Sequence, residues 1–322
     1  MQRPEVEILL ATYNGELYLR EQIDSILGQD YPNLRLLASD DGSSDGTVAI
    51  LDEYAARFPD RVRILPKIEP SGHPKRNFLR LMKAASGEYI SFSDQDDVWI
   101  PEKVSLTMEA LLRLENKNGK ATPLLVFTDL RVVDQQLKTL HPSLWKRAGL
   151  RVENVHRLQR VLGENLVTGC TAMINRSMCN LALQMPEEAE MHDRWICLLS
   201  ATFGAAEALP RATVLYRQHG NNVIGSAEED TTLSGLAARA RESSGRRRER
   251  LTSERHVEAL LRLHGQQMPP DRREMLESYL HSGRSESAWE RVRITLRYGF
   301  FRSGLLRSAA TVVELYKSRS FD

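Results

Sequence analysis

YISFSDQDDVWIP, residues 89 to 101, decides how the rest of this chain is read. Tyr89, Ile90, Ser91 and Phe92 form a short β-prone run. At its end stand Asp94, Asp96 and Asp97, followed by Trp99 and Pro101. Three carboxylates at one strand tip repel one another. A divalent cation relieves that repulsion, because Mg²⁺ or Mn²⁺ takes oxygen ligands from one or two carboxylates and leaves other positions for substrate phosphates. A solvated acidic turn is the competing reading, and the spacing alone does not separate the two.

Working outward, Val6 to Ala11 (VEILLA) is an apolar run of strand length that ends in the turn residues Thr12, Tyr13, Asn14 and Gly15. Leu17, Leu19, Ile23, Ile26 and Leu27 follow at helical spacing, and Tyr31-Pro32 ends that helix. Leu34 to Ala38 is a second buried strand, closed by SDDGSSDGT, whose Asp and Ser residues suit the start of a helix near Thr47. Val62 to Leu65 gives a third strand, Pro74 to Ala85 a helix, Lys103 to Asn116 an amphipathic helix and Leu124 to Thr128 a further strand. This rhythm predicts an α/β fold with right-handed βαβ units, a mostly parallel Rossmann-like sheet flanked by helices, and ligands at the carboxyl ends of the strands. A dinucleotide-binding domain shares the rhythm but needs Gly-x-Gly-x-x-Gly after the first strand. ATYNGE stands there instead.

With these surroundings, SDQDDVW resembles the Asp-x-Asp motif of GT-A glycosyltransferases in its family 2 form, and the resemblance runs from about Val6 to Gly225. It implies a GT-A fold with Mn²⁺ or Mg²⁺ as cofactor and a nucleotide sugar, dTDP-rhamnose or a UDP-sugar, as donor. Asp96 becomes the metal ligand, with Asp94 and Gln95 on the donor side. Thr12, Tyr13 and Asn14 match the segment that packs on the base. Asp41 matches the carboxylate that accepts from N3–H of uracil or thymine, a contact cytosine cannot make. Plain turn and helix capping is the alternative for Asp40 and Asp41.

In GHPKRNF (Gly72 to Phe78), the resemblance puts Asn77 beside the sugar nucleotide, while Lys75 and Arg76 either pair with phosphate or form a solvated helix start. Asp193 in MHDRWICLLSATFG lies 97 residues beyond Asp96 at the start of a helix. As a bare residue it reads as a first-turn acid; by the resemblance it is the general base. Gly169, Cys170, His192 and Trp195 then fall on the acceptor side, and His219 in YRQHGNNVIG becomes a second metal ligand. YRQHGNNVIG, HDRW and SDQDDVW together are similar to bacterial rhamnosyltransferases of surface polysaccharide synthesis, which makes a lipid-linked glycan the expected acceptor.

The domains expected are a catalytic unit over 1–230, with a nucleotide-sugar half (1–135) and an acceptor half (136–230), and a basic helical extension over 231–322. The 322 residues carry a net charge of +1. That balance hides an asymmetry: residues 231–322 hold 18 Lys+Arg against 11 Asp+Glu, a net +7, while residues 1–230 carry 26 against 32, a net −6. Arg291 to Ser318 interleaves basic residues with Val292, Ile294, Leu296, Tyr298, Phe300, Phe301, Leu305 and Leu306. Such a segment fits an anionic membrane surface, or packs on the domain or on a second copy in a homodimer. No nucleic-acid motif accompanies the basic charge. The opening MQRPEVEILLATYNG has no secretory pattern, and no uninterrupted apolar run reaches about 18 residues, so a cytoplasmic protein, peripheral at the inner membrane face, is expected. Cys170, Cys179 and Cys197 read as reduced, buried thiols.

Overall fold

The computed structural model describes residues 3–67, 69–219 and 235–303, the last segment without side chains before 247, together with positions 308, 311–313, 315 and 316. Positions 220–225 of YRQHGNNVIG, and Leu305 and Leu306, lie outside the described residues. The first half alternates as expected: β1 (Val6–Thr12), α1 (Leu19–Leu27), β2 (Leu34–Asp40), α2 (Thr47–Arg57), β3 (Val62–Ile64), α3 (Pro74–Ala84) and β4 (Tyr89–Ser93). Then come β5 (Val98–Trp99), α4 (Lys103–Asn118), β6 (Leu124–Val133), β7 (Thr139–His141), α5 (Leu144–Ala148) and α6 (Leu158–Gly163). Next come β8 (Ala172–Asn175), α7 (Arg176–Ala182), α8 (His192–Phe203) and β9 (Ala205–Arg217). Three helices follow, α9 (Gly235–His264), α10 (Pro270–Arg284) and α11 (Ala288–Tyr298).

Among the described residues these strands form one nine-stranded sheet in the order β3-β2-β1-β4-β8-β6-β9-β5, with β7 on β6. Six strands (β1, β2, β3, β4, β6 and β9) run one way and three (β5, β7 and β8) the other, so the mostly parallel expectation holds. Antiparallel pairing is confined to the second half, where β8 inserts between β4 and β6. Each face of the sheet has its own core. Val6, Ile8 and Leu10 of β1 pack with α1, α2 and α4, while Leu9 packs on the opposite face with Phe78, Phe92 and Trp195. Burial on both faces explains why VEILLA is a continuous apolar run with no alternation.

The helices after residue 235 share the second of these cores. Val257, Leu260, Leu276, Tyr279, Ile294 and Phe300 belong to the same apolar cluster as Leu9 and Trp195. Part of the segment follows the alternative of packing on the domain: Val292, Ile294 and Phe300 are buried against the protein, with Trp289 (70% exposed) and Leu296 (57% exposed) turned outward on α11. The helix is amphipathic in the sense predicted, but its apolar face already has a partner. Among the described residues, no helix is long and apolar enough to cross a membrane.

Candidate active site

The carboxyl ends of β1, β2 and β4, together with the start of α8 and the end of β9, surround a cleft of about 810 Å³. Its walls are built by short polar loops that tie to one another. Asn14 takes up a left-handed conformation (φ 47°), with its N–H donating to Ser43 Oγ at 2.8 Å and its Oδ1 accepting from Ser44 N at 2.9 Å. Thr12 Oγ1 donates to Asp40 Oδ1 at 2.9 Å. Gln95 pairs with the backbone of Tyr13 as a neighbouring strand would, accepting from its N–H at 2.7 Å and donating to its carbonyl at 2.8 Å. A Cβ on Gly15 would meet Gln95 Oε1 at 2.3 Å, so the loop between β1 and α1 needs glycine where the acidic loop crosses it.

The two aspartates of SDDG divide the alternatives left open by the sequence. Asp40 organises the turn, accepting from the N–H groups of Gly42 and Ser43 and from Ser43 Oγ. Asp41 lines the cleft, where its two oxygens accept from Ser71 N at 2.7 Å and Gly72 N at 3.0 Å. Those contacts hold the carboxylate in one orientation and leave lone pairs for a third donor. Asn77 also lines the cleft, with Nδ2 anchored to the Ser39 carbonyl at 2.8 Å.

Asp96 and His219, 123 residues apart, meet with His219 Nε2 2.7 Å from Asp96 Oδ2. The short β5 makes this possible by pairing Val98 with Leu215 and Trp99 with Val214 of β9, which pins the acidic loop beside the strand leading to His219. Arg217, buried at 2% exposure, locks the junction: its N–H donates to Asp97 Oδ1 at 3.2 Å, its Nε to the Asp96 carbonyl at 2.9 Å, and its Nη2 to Glu21 Oε2 at 2.5 Å. A carboxylate and an imidazole converging on one wall of a cleft suit a divalent cation such as Mn²⁺. A second group of ligand atoms, from Asp94, Asp97 and Cys170, lies within 4.8 Å of one another. Its chemistry fits a hard cation less well, because burial pushes the Cys170 thiol pKa upward and so keeps it protonated. Asp97 and Lys103 lie fully buried in the same region, where burial raises the pKa of Asp97 and lowers that of Lys103 to about 8.

Asp193 lines the same cleft from the first turn of α8, 6% exposed. Burial lifts its pKa to about 6, against hydrogen bonds from Arg194 N, the Asn165 side chain and the Gly169 N–H. Burial, with Asp96 and Asp193 adding to it, raises Asp94 to about 7. Gly169 is required by contact: a Cβ there would lie 2.8 Å from His192 Nε2. His192 lines the cleft edge but is held between Phe78 and Phe92, ring centroids 4.0 and 4.9 Å away, and burial lowers its pKa to about 3 so that it stays neutral.

The structure thus brings Thr12, Tyr13, Asn14, Asp41, Asn77, Asp94, Gln95, Asp96, Gly169, His192, Asp193 and His219 to one cleft. Three expected residues fall elsewhere. Trp195 is fully buried in the core against His256, because the helical turn that brings Asp193 to the cleft carries Trp195 to the inner face of α8. Cys170 sits beneath the cleft floor, hydrogen-bonded to Asp97. Arg76 points out to Glu187 at 3.3 Å, and the buried Lys75 donates to the carbonyls of Glu187 and Ala189 at 2.7 and 2.9 Å. Asn165, Tyr18 and Tyr216 line the cleft without having been anticipated. Asn165 is three residues before Thr168, where the turn of ENLVTG begins, and carried no signal beyond its place in that string. Arg217, next to Tyr216, was legible only as one more basic residue.

Comparisons with known proteins bear on the fold and the family. The sequence model described as glycosyl transferase family 2 matches residues 7–179. A dTDP-rhamnosyl transferase, RfbG, of Shigella flexneri is 31% identical over 225 residues, covering 67% of this chain and 74% of that protein. A putative teichuronic acid biosynthesis glycosyltransferase, TuaG, of Bacillus subtilis is 27% identical over 207 residues, covering 63% of this chain and 75% of its own. Among solved structures, S. aureus TarS residues 1–349 in complex with UDP-GlcNAc superposes with a TM-score of 0.53 at 14% identity, covering 97% of this chain and 89% of that one. A mannosyltransferase of Pyrobaculum calidifontis in complex with GDP-Man and Mn²⁺ gives 0.53 at 18% identity, covering 97% and 79%. The fold is that of the GT-A glycosyltransferases, and the chain is a glycosyltransferase that belongs to glycosyl transferase family 2.

Proposed function

We propose that this enzyme is an inverting, metal-dependent transferase that moves a sugar, rhamnose from dTDP-rhamnose, to a hydroxyl of a lipid-linked precursor of a surface glycan. The observation that carries the reading is that two units line one cleft: the Asp96–His219 pair, and the buried Asp193 with a pKa lifted to about 6. The base of the donor rests on the Thr12–Asn14 loop, and Asp41 accepts from its N3–H. The acceptor hydroxyl gives its proton to Asp193, whose raised pKa suits a general base near neutral pH. The hydroxyl oxygen attacks the anomeric carbon from the face opposite the diphosphate, the bond to the diphosphate oxygen breaks, and the configuration inverts. Asp96 and His219 would hold the divalent cation, which when bound neutralises charge on the departing diphosphate. Similarity to RfbG supports rhamnose and thymidine; uracil offers the same N3–H, so a UDP-hexose fits the same site chemistry.

The polar and basic surface of the extension supports a membrane-held acceptor. Trp289, Arg293, Leu296 and Arg297 are exposed at positions that fall on one side of α11, the mix that favours the interface of an anionic bilayer at its cytoplasmic face. Sedimentation with anionic vesicles at low salt, lost at high salt, is the expected result; failure to sediment at low salt removes the membrane from the proposal.

The deciding experiment is thermal unfolding and donor hydrolysis with purified protein. dTDP and UDP should raise the melting temperature only with Mn²⁺ or Mg²⁺ present, CDP should not, and dTDP-rhamnose should be hydrolysed faster than UDP-hexoses. Equal stabilisation by CDP defeats the base contact. Preference for a UDP-hexose replaces the donor and leaves the mechanism.

A further inference from the structure

The loop that delivers Asp193 to the cleft is held by the extension. Glu190 N donates to His256 Nε2 of α9 at 2.8 Å. Arg194, buried and adjacent to Asp193, donates through Nη2 to Ser253 Oγ at 2.6 Å and to the Glu249 carbonyl at 3.3 Å, both also on α9. Ser253 Oγ in turn donates to the Leu162 carbonyl of α6 at 3.1 Å. The His256 ring packs edge-on against Trp195, one turn of α8 inside the fold, with centroids 6.3 Å apart. On the other side of the loop, Lys75 of α3 clasps the carbonyls of Glu187 and Ala189. The residues before and after Asp193 are therefore each fixed by a polar contact to α9, in a helix the sequence divides from the catalytic unit.

His256 suits this task in its chemistry. It is 1% exposed, and an imidazole can accept from a backbone N–H only through an unprotonated nitrogen. Burial, with the nearby Arg194 and Lys75 charges adding to it, lowers its pKa to about 3 and keeps that nitrogen free.

We infer that His256 and Ser253 are positioning residues for the reaction: α9 acts as a clamp that fixes the first turn of α8 and so the place of the Asp193 carboxylate in the cleft. The inference rests on Asp193 being the base. It makes the extension part of the catalytic apparatus, since a displacement of about 1 Å at a reacting group can cost on the order of a hundredfold in rate. The donor wall, built by β1, β2, β4 and β9, makes none of these contacts, so its binding should be spared.

The test is steady-state kinetics of the full-length enzyme carrying His256→Phe, His256→Gln, Ser253→Ala, Asp193→Asn and the double change His256→Phe with Asp193→Asn. Glutamine can place its amide oxygen where Nε2 accepts, so His256→Gln serves as the conservative rescue. Expected for His256→Phe is a ten- to hundredfold fall in kcat, with donor KM and the Mn²⁺-dependent rise in melting temperature given by dTDP or UDP within about twofold of the parent. His256→Gln should recover to within about threefold, Ser253→Ala should fall in the same direction, and His256→Phe should add less than twofold to the loss in the Asp193→Asn background. Parental kcat in His256→Phe overturns the clamp. So does an equal loss in His256→Gln and His256→Phe, or a loss of donor binding that accompanies the loss of kcat, both of which mark a general packing role. If Asp193→Asn itself keeps full turnover, the base assignment fails, and that outcome is distinct from parental kcat in His256→Phe with an inactive Asp193→Asn.

Discussion

The two walls of the cleft are made in different ways. The donor wall comes mainly from strand ends within residues 1–100, Thr12 at the end of β1, Asp41 after β2 and Asp94 to Asp96 after β4, each pinned by a neighbour in the same βαβ series, with His219 alone brought in from beyond β9. The base wall is assembled from remote parts, with Asp193 on α8, Gly169 and Asn165 from the loops before β8, and α9 behind it. Thr12 (2% exposed) and Asp41 (7% exposed) are as buried as Asp193 (6% exposed), so the difference lies in topology and not in burial. On the proposed reading, donor is held by loops tied to one another within the first half of the sheet, while the base depends on helices packed from the rest of the molecule.

The largest effect expected across this divide is that of Asp193→Asn, which should lower transfer by at least about a hundredfold while the metal-dependent stabilisation by nucleotide persists. Turnover within a few-fold of the parent sinks the base assignment. The same variant carries a stability signature of defined sign. The folded-state pKa of Asp193, about 6, lies above its ordinary value because burial penalises the charged form. The neutral carboxyl is therefore compatible with the fold below pH 4, and stability is lost as pH rises through about 6. Asparagine removes that loss, so the variant should be more stable than the parent at pH 8 by roughly 1 to 3 kcal/mol, and equal to it near pH 4. The parent's kcat should show an acid limb near pH 6. Asp94, itself lifted to about 7, is mostly neutral where Asp193 titrates, so the limb should keep its place when Asp94 is changed to Asn.

Next in size is the pair proposed to hold the metal, Asp96 and His219. Asp96→Ala and His219→Ala should each remove the rise in melting temperature that Mn²⁺ adds to nucleotide binding, a rise of about 2.7 kcal/mol in stability at a hundredfold excess over Kd. Calorimetric titration of Mn²⁺ with dTDP measures it. If nucleotide stabilises the His219 variant as well with metal as the parent, His219 is a hydrogen-bond partner of Asp96 and nothing more.

How much of this could be read in the sequence follows the same divide. VEILLA, LRLLA and YISFS were legible as strands because burial on both faces leaves them mostly apolar, with Glu7, Arg35, Ser91 and Ser93 as the polar exceptions, and the acidic loop was legible because it follows one of them directly. β5 was not: two residues, Val98 and Trp99, carry no periodicity, yet their pairing with β9 is what brings His219 to Asp96. Trp195 was misassigned to the acceptor side because its nearness to Asp193 in sequence outweighed the helical period that turns it inward. α9 reads as a run of arginines and glutamates, and nothing in that composition marks His256 or Ser253 as neighbours of the base.

A smaller effect tests the base-recognition contact on the donor wall. Asp41→Ala should weaken dTDP and UDP by about 1 to 3 kcal/mol, the cost of leaving a buried donor unpaired. The same change orphans the N–H groups of Ser71 and Gly72, so part of the loss is local loosening. Asp41→Asn separates the two, because its amide keeps one acceptor oxygen. Affinity for CDP that matches UDP in the parent would dispose of the contact.

The smallest effect expected is at Arg76, where sequence and structure diverge most plainly. The sequence offers its guanidinium to a diphosphate, but the side chain is 53% exposed and turned toward Glu187, which is 74% exposed, at 3.3 Å. An ion pair between two such side chains is screened by water and loses side-chain entropy, and contributes about 0 to 1 kcal/mol. Neighbouring Lys75 is already committed to the carbonyls of Glu187 and Ala189. Neither cation lines the cleft, which on the proposed reading leaves diphosphate charge to the cation that Asp96 and His219 would hold. Arg76→Ala should therefore shift donor KM less than about threefold and stability by less than about 1 kcal/mol. A tenfold rise in KM that vanishes at 0.5 M salt would show that Arg76 swings to the diphosphate when donor binds. The donor wall would then rearrange on binding, and the contrast between a preformed donor side and a clamped base side would have to be redrawn.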